Sequence, residues 1–174
     1  CRYWLCNIDV GHLLWTTEFG DLNCFHHGAE LLHLERGSTE YDGDMSKVIT
    51  SDNEIAQLLS QSKRVAVVGI SDKEDRPSNG VSRWLMRNSH FELYFVNPAY
   101  TTVLGQPCYA SLADIPDAID MVDIFRKVSD IPAVVDEAIA IGAKSIWIQL
   151  GLVDETSAAR AVEAGLDVAM DLCI

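Results

Sequence analysis

Ser71, Arg76 and Ser78 are the side chains whose types and spacing most invite chemistry, and the chemistry they suggest is the holding of a phosphate. They follow the apolar run Arg64-Val65-Ala66-Val67-Val68-Gly69, in and just after the loop Ile70-Ser71-Asp72-Lys73-Glu74-Asp75-Arg76-Pro77. The run is β-branched and lacks polar alternation, the mark of a strand buried on both faces. A helical pattern starts at Ser78. Strand, glycine turn and helix start together offer backbone N–H groups and the positive end of a helix dipole to an anion. Arg76 stands beside Pro77 at the helix entrance, where a guanidinium can fork onto phosphate oxygens. Lys63, Arg64, Lys73, Arg83 and Arg87 flank the same stretch, so a locally basic region is expected there, although any one of them also reads as a solvated surface charge.

Other candidates for chemistry are weaker. His90 is the single histidine after residue 44 and reads as a solvated turn residue rather than a catalyst. Asp120 and Asp123 suggest an acid pair, but capping or loop hydrogen bonds are the expected role. Cys173 could be a nucleophile or a partner in a mixed disulfide; a buried small hydrophobe is the plainer reading. Cys108, beside Pro107, is expected to be structural. Cys6, Cys24, His26 and His27 fit no zinc spacing, so no metal site is expected.

The elements that must position these residues are legible after Met45. Ser51-Asp52-Asn53-Glu54 is a capping box that opens a short helix with Ile55, Leu58 and Leu59 on one face. Strands are expected at 64–69, Phe91–Val96, Ile119–Phe125, Lys144–Gln149 and Leu166–Met170. Asn97-Pro98 stops the second, because proline cannot donate to a ladder. A loop through Gly105-Gln106-Pro107 leads to Tyr109 and a turn of helix at Ser111. Residues 78–88 read as a helix with Val81, Trp84 and Leu85 inward. Ile131, Val134, Val135, Ala138 and Ile139 give an amphipathic stripe ended by Gly142. Asp154 caps a last helix with Ala158 and Ala161 inward, ended by Gly165. This alternation predicts an α/β, Rossmann-like parallel five-stranded sheet with helices on both faces. Ligands of such sheets bind beyond the carboxyl ends of the strands. That places the candidate site at Gly69–Ser78, Asn97–Tyr100, Phe125–Lys127 and Gln149–Gly151.

The chain has 174 residues, enough for one domain with a proper core, and a net charge of −13, which argues against nucleic acid as a partner. No apolar stretch reaches the roughly 20 residues that cross a bilayer, so no membrane partner is expected. There is no basic-then-apolar leader at the N-terminus, and five scattered cysteines suggest reduced thiols. A cytoplasmic location is therefore expected. Residues 1–44 are an irregular extension, joined by the linker-like Ser38–Asp44. Residue 1 is Cys rather than Met, so a fragment and a non-native extension ahead of a start at Met45 both stay open.

A sheet of this kind most often suggests a dinucleotide. Two features oppose NAD(P). After Gly69 the next glycine is Gly80, so there is no G-x-G-x-x-G. The second strand ends in Asn97-Pro98 rather than in an acid for the ribose.

Residues 51–174 resemble the small stand-alone CoA-binding proteins, relatives of the N-terminal domain of the succinyl-CoA synthetase alpha subunit. The resemblance rests on Val67-Val68-Gly69-Ile70-Ser71, Arg76-Pro77-Ser78, Val96-Asn97-Pro98, Tyr109–Pro116, Asp123-Ile124-Phe125-Arg126, Gly142–Gly151 and Met170-Asp171-Leu172-Cys173, in that order and spacing. It implies that Gly69, Ser71, Arg76 and Ser78 surround the pyrophosphate of coenzyme A or an acyl-CoA, with Ile70 and Pro77 also among the cofactor-binding residues. Asn97, Pro98 and Tyr100 would flank the adenosine, Phe125 and Arg126 would line the pocket, and Gln149 and Gly151 would lie near the pantetheine. Family members usually continue past the position of Ile174 with a short polar tail, which suggests a truncated C-terminus. The synthetases carry a phosphorylated histidine on an added domain that has no counterpart in this sequence. The expectation is thus a CoA-binding module, more non-catalytic than enzymatic, with a small-molecule ligand and no protein partner that the sequence names. An NAD(P)-dependent oxidoreductase, a CoA-thioester transferase fragment and an acyl-CoA-sensing regulatory module are the alternatives.

Overall fold

A computed structural model of the chain describes residues 46–174. The expected extension, with Cys6, Cys24, His26 and His27, lies outside the described residues. The elements are α1 (Asp52–Gln61), β1 (Arg64–Val68), α2 (Pro77–Asn88), β2 (Glu92–Val96), β3 (Thr102–Val103), β4 (Gln106–Tyr109), β5 (Met121–Ile124), α3 (Ile131–Ala140), β6 (Ser145–Gln149), α4 (Glu155–Glu163) and β7 (Asp167–Leu172). They form a seven-stranded sheet in the order β3-β4-β2-β1-β5-β6-β7. Only β3 runs antiparallel, against β4; every other neighbouring pair is parallel.

Two strands more than the expected five are therefore present. Both belong to the segment read as a loop. Leu104 and Gly105 take φ of 51° and 76°, the positive values that a two-residue hairpin turn requires. They fold Thr102–Val103 back on Gln106–Pro107. Pro107 reads as a strand breaker, yet the parallel ladder of β4 on β2 begins only at Cys108, opposite Phe95. The proline thus lies beyond the β2 ladder.

Alternation along the strands splits the core in two. Ala66, Val68, Val122, Ile124, Ile146, Ile148 and Val168 face one way, under Val134, Val135 and Ala138 of α3 and Ala158 and Ala161 of α4. Val65, Met121, Trp147 and Ala169 face the other way, under Ile55, Leu58 and Leu59 of α1 and Leu85 of α2. Trp147 is fully buried and its indole N–H donates to the Leu172 carbonyl at 2.9 Å, which ties down the end of β7. Cutting it to alanine should cost about 3–5 kcal/mol, the range for a large buried aromatic.

The capping box of α1 forms as read: the Glu54 N–H meets Ser51 Oγ, and the Ser51 N–H meets the Glu54 carboxylate. The inward side of α2 differs from expectation. Its buried residues are Ser78, Asn79, Ser82 and Leu85, and Val81 is half-buried, whereas Trp84 is 40% exposed. Small polar side chains at 78 and 82 let the helix lie close to the sheet. An indole on that stripe would hold it off.

Candidate functional site

Numbered along the chain, the six parallel strands run 3-2-1-4-5-6, the order of dinucleotide-binding sheets. The order reverses between β1 and β5, so the loops that leave these two strands diverge and open a crevice at their carboxyl ends. A cleft of about 760 Å³ sits there.

Gly69 makes the crevice possible. Its φ is +90°, and a Cβ built on it would lie 2.7 Å from Arg126 Cδ and 2.9 Å from the Phe125 carbonyl oxygen. Any side chain would push the two loops apart. The glycine also continues the ladder: its N–H donates to the Val96 carbonyl, and the Phe125 N–H donates to the Val68 carbonyl, both at 2.9 Å.

The loop after Gly69 is braced by its own polar groups. The Ser71 hydroxyl accepts the Lys73 N–H at 3.2 Å, and the Asn79 side-chain amide donates to the Ser71 carbonyl at 2.9 Å. Helix α2 then starts with Arg76 at its N-cap and Pro77 in its first turn. Arg76 makes no side-chain capping bond, and among the described residues no carboxylate pairs with it. Lys73 and Lys127 also line the cleft, as does Arg126, whose Nε lies 3.7 Å from Asp130. Cations and the start of α2 thus face the same space, an arrangement suited to phosphates.

Of the expected site residues, Gly69, Ser71, Arg76, Pro77, Ser78, Tyr100, Phe125, Arg126 and Gln149 line this cleft. Four do not. Ile70 is fully buried and packs with Val67, Phe95 and Val103. Asn97 turns its amide back onto the Ile70 carbonyl at 2.7 Å and accepts the Ala99 N–H at 3.0 Å. Pro98 is exposed in the turn that follows. Gly151 sits at φ +82° with its N–H donating to Asp171 at 2.7 Å. These residues hold the loops rather than line the space.

The expected basic region divides. Lys63 and Arg64 stand at the amino end of β1 and pair with Glu92 at 3.1 and 3.4 Å. A five-residue strand spans roughly 16 Å, so they face the opposite edge of the sheet from the cleft. Arg83 is drawn to Glu74 at 3.0 Å and to Asn79 at 3.1 Å. Of the flanking cations, Lys73 joins Arg76 on the cleft.

Asp120 and Asp123 are no acid pair. Asp120 accepts the Lys63 and Arg64 N–H groups at 3.0 and 2.9 Å and the Lys144 ammonium at 2.8 Å. Burial pushes its carboxyl up, but these donors, Lys144 foremost, hold it below the ordinary value. Asp123 lies within β5, fully buried between Val67 and Trp147 of the neighbouring strands. Burial raises it to about 7, against the pull of the Gln149 amide, which donates to it at 2.7 Å. His90 is exposed, its Nε2 2.9 Å from the Ser62 carbonyl, at the same far edge as Lys63. Cys108 is half-buried beside the Asn97 carbonyl; burial raises its thiol, which that contact partly opposes. Among the described residues no cluster of metal-ligating side chains occurs, and no helix is long and apolar enough to cross a membrane.

Residues 63–174 match the family model described as the CoA binding domain. The chain belongs to this family. The Bacillus subtilis (strain 168) protein YneT is 41% identical over 124 residues, which cover 71% of this chain and 91% of YneT. A solved structure from Pyrococcus horikoshii OT3 superposes with a TM-score of 0.69 at 38% identity, over 71% of this chain and 87% of that one. The ADP-forming acetate–CoA ligase I of Archaeoglobus fulgidus is 39% identical over 81 residues, 47% of this chain but 12% of the ligase.

In this CoA-binding-family chain, sequence reasoning gave Leu150 and Lys127 only as members of strand-end ranges, gave Cys173 no place in the cleft, and missed Leu152. Leu150 and Leu152 follow Gln149 and line the β6 end of the cleft, and the half-buried Cys173 joins them from beyond β7. An apolar pair either side of a strand-end glycine was the available signal. Lys127 directly follows Arg126, and Asn79, the brace of the first loop, carries no signal beyond an amide in the first turn of a helix.

Proposed function

We propose that this protein binds coenzyme A or an acyl-CoA in the cleft between the β1 and β5 loops and carries out no reaction of its own there. The observation that supports this most is the convergence of the α2 start, Arg76, Lys73, Arg126 and Lys127 on one crevice of a CoA binding domain. In this reading the pyrophosphate lies against Ser71, Arg76 and Ser78. The adenosine lies toward Tyr100 on the β2 side. The pantetheine runs toward Gln149, Leu150, Leu152 and Cys173 on the β6–β7 side. Recognition supplies the function: charge-assisted hydrogen bonds hold the phosphates and apolar contact holds the arm. A binding role also suits the polar groups around the cleft. The histidine within 46–174 stands at the far edge, and the buried Asp123 faces Gln149 rather than a nucleophile.

Calorimetric titration tests the reading. CoA or an acyl-CoA should bind much more tightly than NAD or NADP, since β2 ends in Asn97-Pro98 and the first loop has no second glycine near the phosphates. Tighter binding of NAD(H) than of CoA would overturn it. Incubation with ATP or GTP, CoA and acetate or succinate should yield no thioester above a heat-killed control.

A further inference from the structure

The buried pair Asp123–Gln149 is costly to keep and is not needed for the phosphate end of the cleft. Asp123 is fully buried between apolar strands, and its second oxygen, Oδ2, has no hydrogen-bond partner among the protein groups. Ser82 Oγ, on the inner side of α2, is likewise buried and without a partner. A carboxylate in such a layer is retained at a desolvation cost unless it does something that an apolar residue could not. Its one bond is the 2.7 Å contact from Gln149 Nε2.

The consequence lies on the other side of Gln149. That residue ends β6, is 5% exposed, and lines the cleft beside Leu150 and Leu152. An ionised carboxylate only accepts, so the amide NH₂ must turn toward it. The amide carbonyl is then left for the cleft. A fixed acceptor in a mostly apolar stretch asks for a donor from the ligand, and leaving it unmet is expensive. Strand order puts this acceptor one strand beyond β5, on the side away from Tyr100, where the arm of a nucleotide held at β1 and β5 would pass. The pantetheine arm carries two amide N–H groups.

We infer that Asp123 is a positioning residue, resting on the CoA reading above: it holds the Gln149 amide so that Oε1 stands in the cleft as the acceptor for an N–H of the pantetheine arm. Asp123 touches no ligand itself. It decides which end of the Gln149 amide the ligand meets.

The test compares two ligands by calorimetry at pH 8, where the carboxyl is ionised: CoA, and 3′-phospho-ADP, which keeps the nucleotide and lacks the arm. Asp123→Asn is nearly isosteric but lets the Gln149 amide turn over. Gln149→Met removes the acceptor at similar length. Each should raise the Kd for CoA by about 3- to 10-fold, the scale of one neutral hydrogen bond. Each should leave the Kd for 3′-phospho-ADP within about two-fold. The double variant should lose no more than Gln149→Met alone, because Asp123 acts only through Gln149. A role in stability alone would move both ligands together or neither. Equal losses for the two ligands, a double variant weaker than Gln149→Met, or unchanged CoA affinity in Gln149→Met would overturn the inference. A wild type that binds 3′-phospho-ADP as tightly as CoA would overturn the arm contact and leave the phosphate site standing. A wild type that binds neither would overturn the CoA reading, and the inference with it.

Discussion

Removing the Arg76 side chain is the sharpest perturbation of the phosphate site. Arg76 is exposed, stands at the N-cap of α2 without a side-chain capping bond, and pairs with no carboxylate among the described residues. Its guanidinium is therefore available to a ligand, and its removal uncovers no buried partner. A hydrogen bond to a charged group contributes about 1.5–3 kcal/mol, or a 10- to 150-fold change in Kd. Because the side chain is exposed, solvent screening places the loss in the lower half of that range. Lys63→Ala is the matched control. It removes the same charge at the far edge of the sheet, where Lys63 pairs with Glu92. Calorimetry with CoA should show Arg76→Ala weakened at least about 10-fold and Lys63→Ala within about two-fold. Thermal unfolding of both should stay close to wild type, since surface changes away from special features cost little. Two results refute the reasoning: an Arg76→Ala Kd within two-fold of wild type with the fold intact, or a Lys63→Ala loss as large as that of Arg76→Ala.

Gly69→Ala should cost stability and affinity together: the positive φ alone is worth about 1–3 kcal/mol, and the clash with the Phe125 carbonyl cannot be relieved by a rotamer change. Chemical denaturation and CoA titration would show it, and a variant as stable as wild type would refute the close approach. Asp123 makes stability depend on pH. Its folded value of about 7 lies above the ordinary 3.8, so the folded state holds a proton that the unfolded chain has released. Its contribution is greatest at low pH and declines as pH rises from about 4 to about 7, by at most a few kcal/mol. Asp123→Asn should flatten the unfolding free energy over that window, and an unchanged slope would show that the carboxyl is not raised. We also propose that residues 1–44 are dispensable to the 46–174 fold. A chain starting at Met45 should unfold cooperatively with a midpoint near that of the whole chain; loss of soluble expression would count against it.

The residues that announced themselves did so through backbone chemistry. Gly69 after a β-branched run, Pro77 at a helix start and Ser51 with Glu54 have meanings that hold in nearly any fold, so strand 1, helix 2 and the start of the first helix were legible. The hairpin β3–β4 was not. Its strands are two and four residues long, its turn uses Leu104 at a positive φ, and Pro107 argues against a strand although it pairs with Thr102 of β3 and lies outside the β2 ladder. The cleft was legible as a set of loops but not as a set of side chains. Asn97, Ile70 and Gly151 stand at the right strand ends, yet the Asn97 amide is spent on the Ile70 carbonyl, the Gly151 N–H on Asp171, and the Ile70 side chain is buried against Phe95 and Val103. Lys63 and Arg64 are near Gly69 in sequence and a strand length away in space. Direction across a sheet, not distance along the chain, sorted both groups.

The charge of the whole molecule sharpens what the cleft must do. CoA carries a pyrophosphate and a ribose phosphate, yet the chain has a net charge of −13. The first loop itself includes Asp72, Glu74 and Asp75 beside Lys73 and Arg76, and Glu74 is largely occupied by Arg83. Long-range attraction therefore cannot gather the ligand. At about 0.15 M ionic strength, charges more than about 8 Å away are mostly screened, and what remains is the set of cations on the crevice. Added salt then has two opposed effects: it relieves the repulsion of the acidic surface and weakens the contacts at Arg76, Lys73, Arg126 and Lys127. The absolute salt dependence of binding mixes the two. The difference between wild type and Arg76→Ala isolates the second, because both share the same distant surface. Affinity of the wild type should accordingly fall more steeply with salt than that of the variant, and parallel slopes would mean that Arg76 does not meet a phosphate at short range.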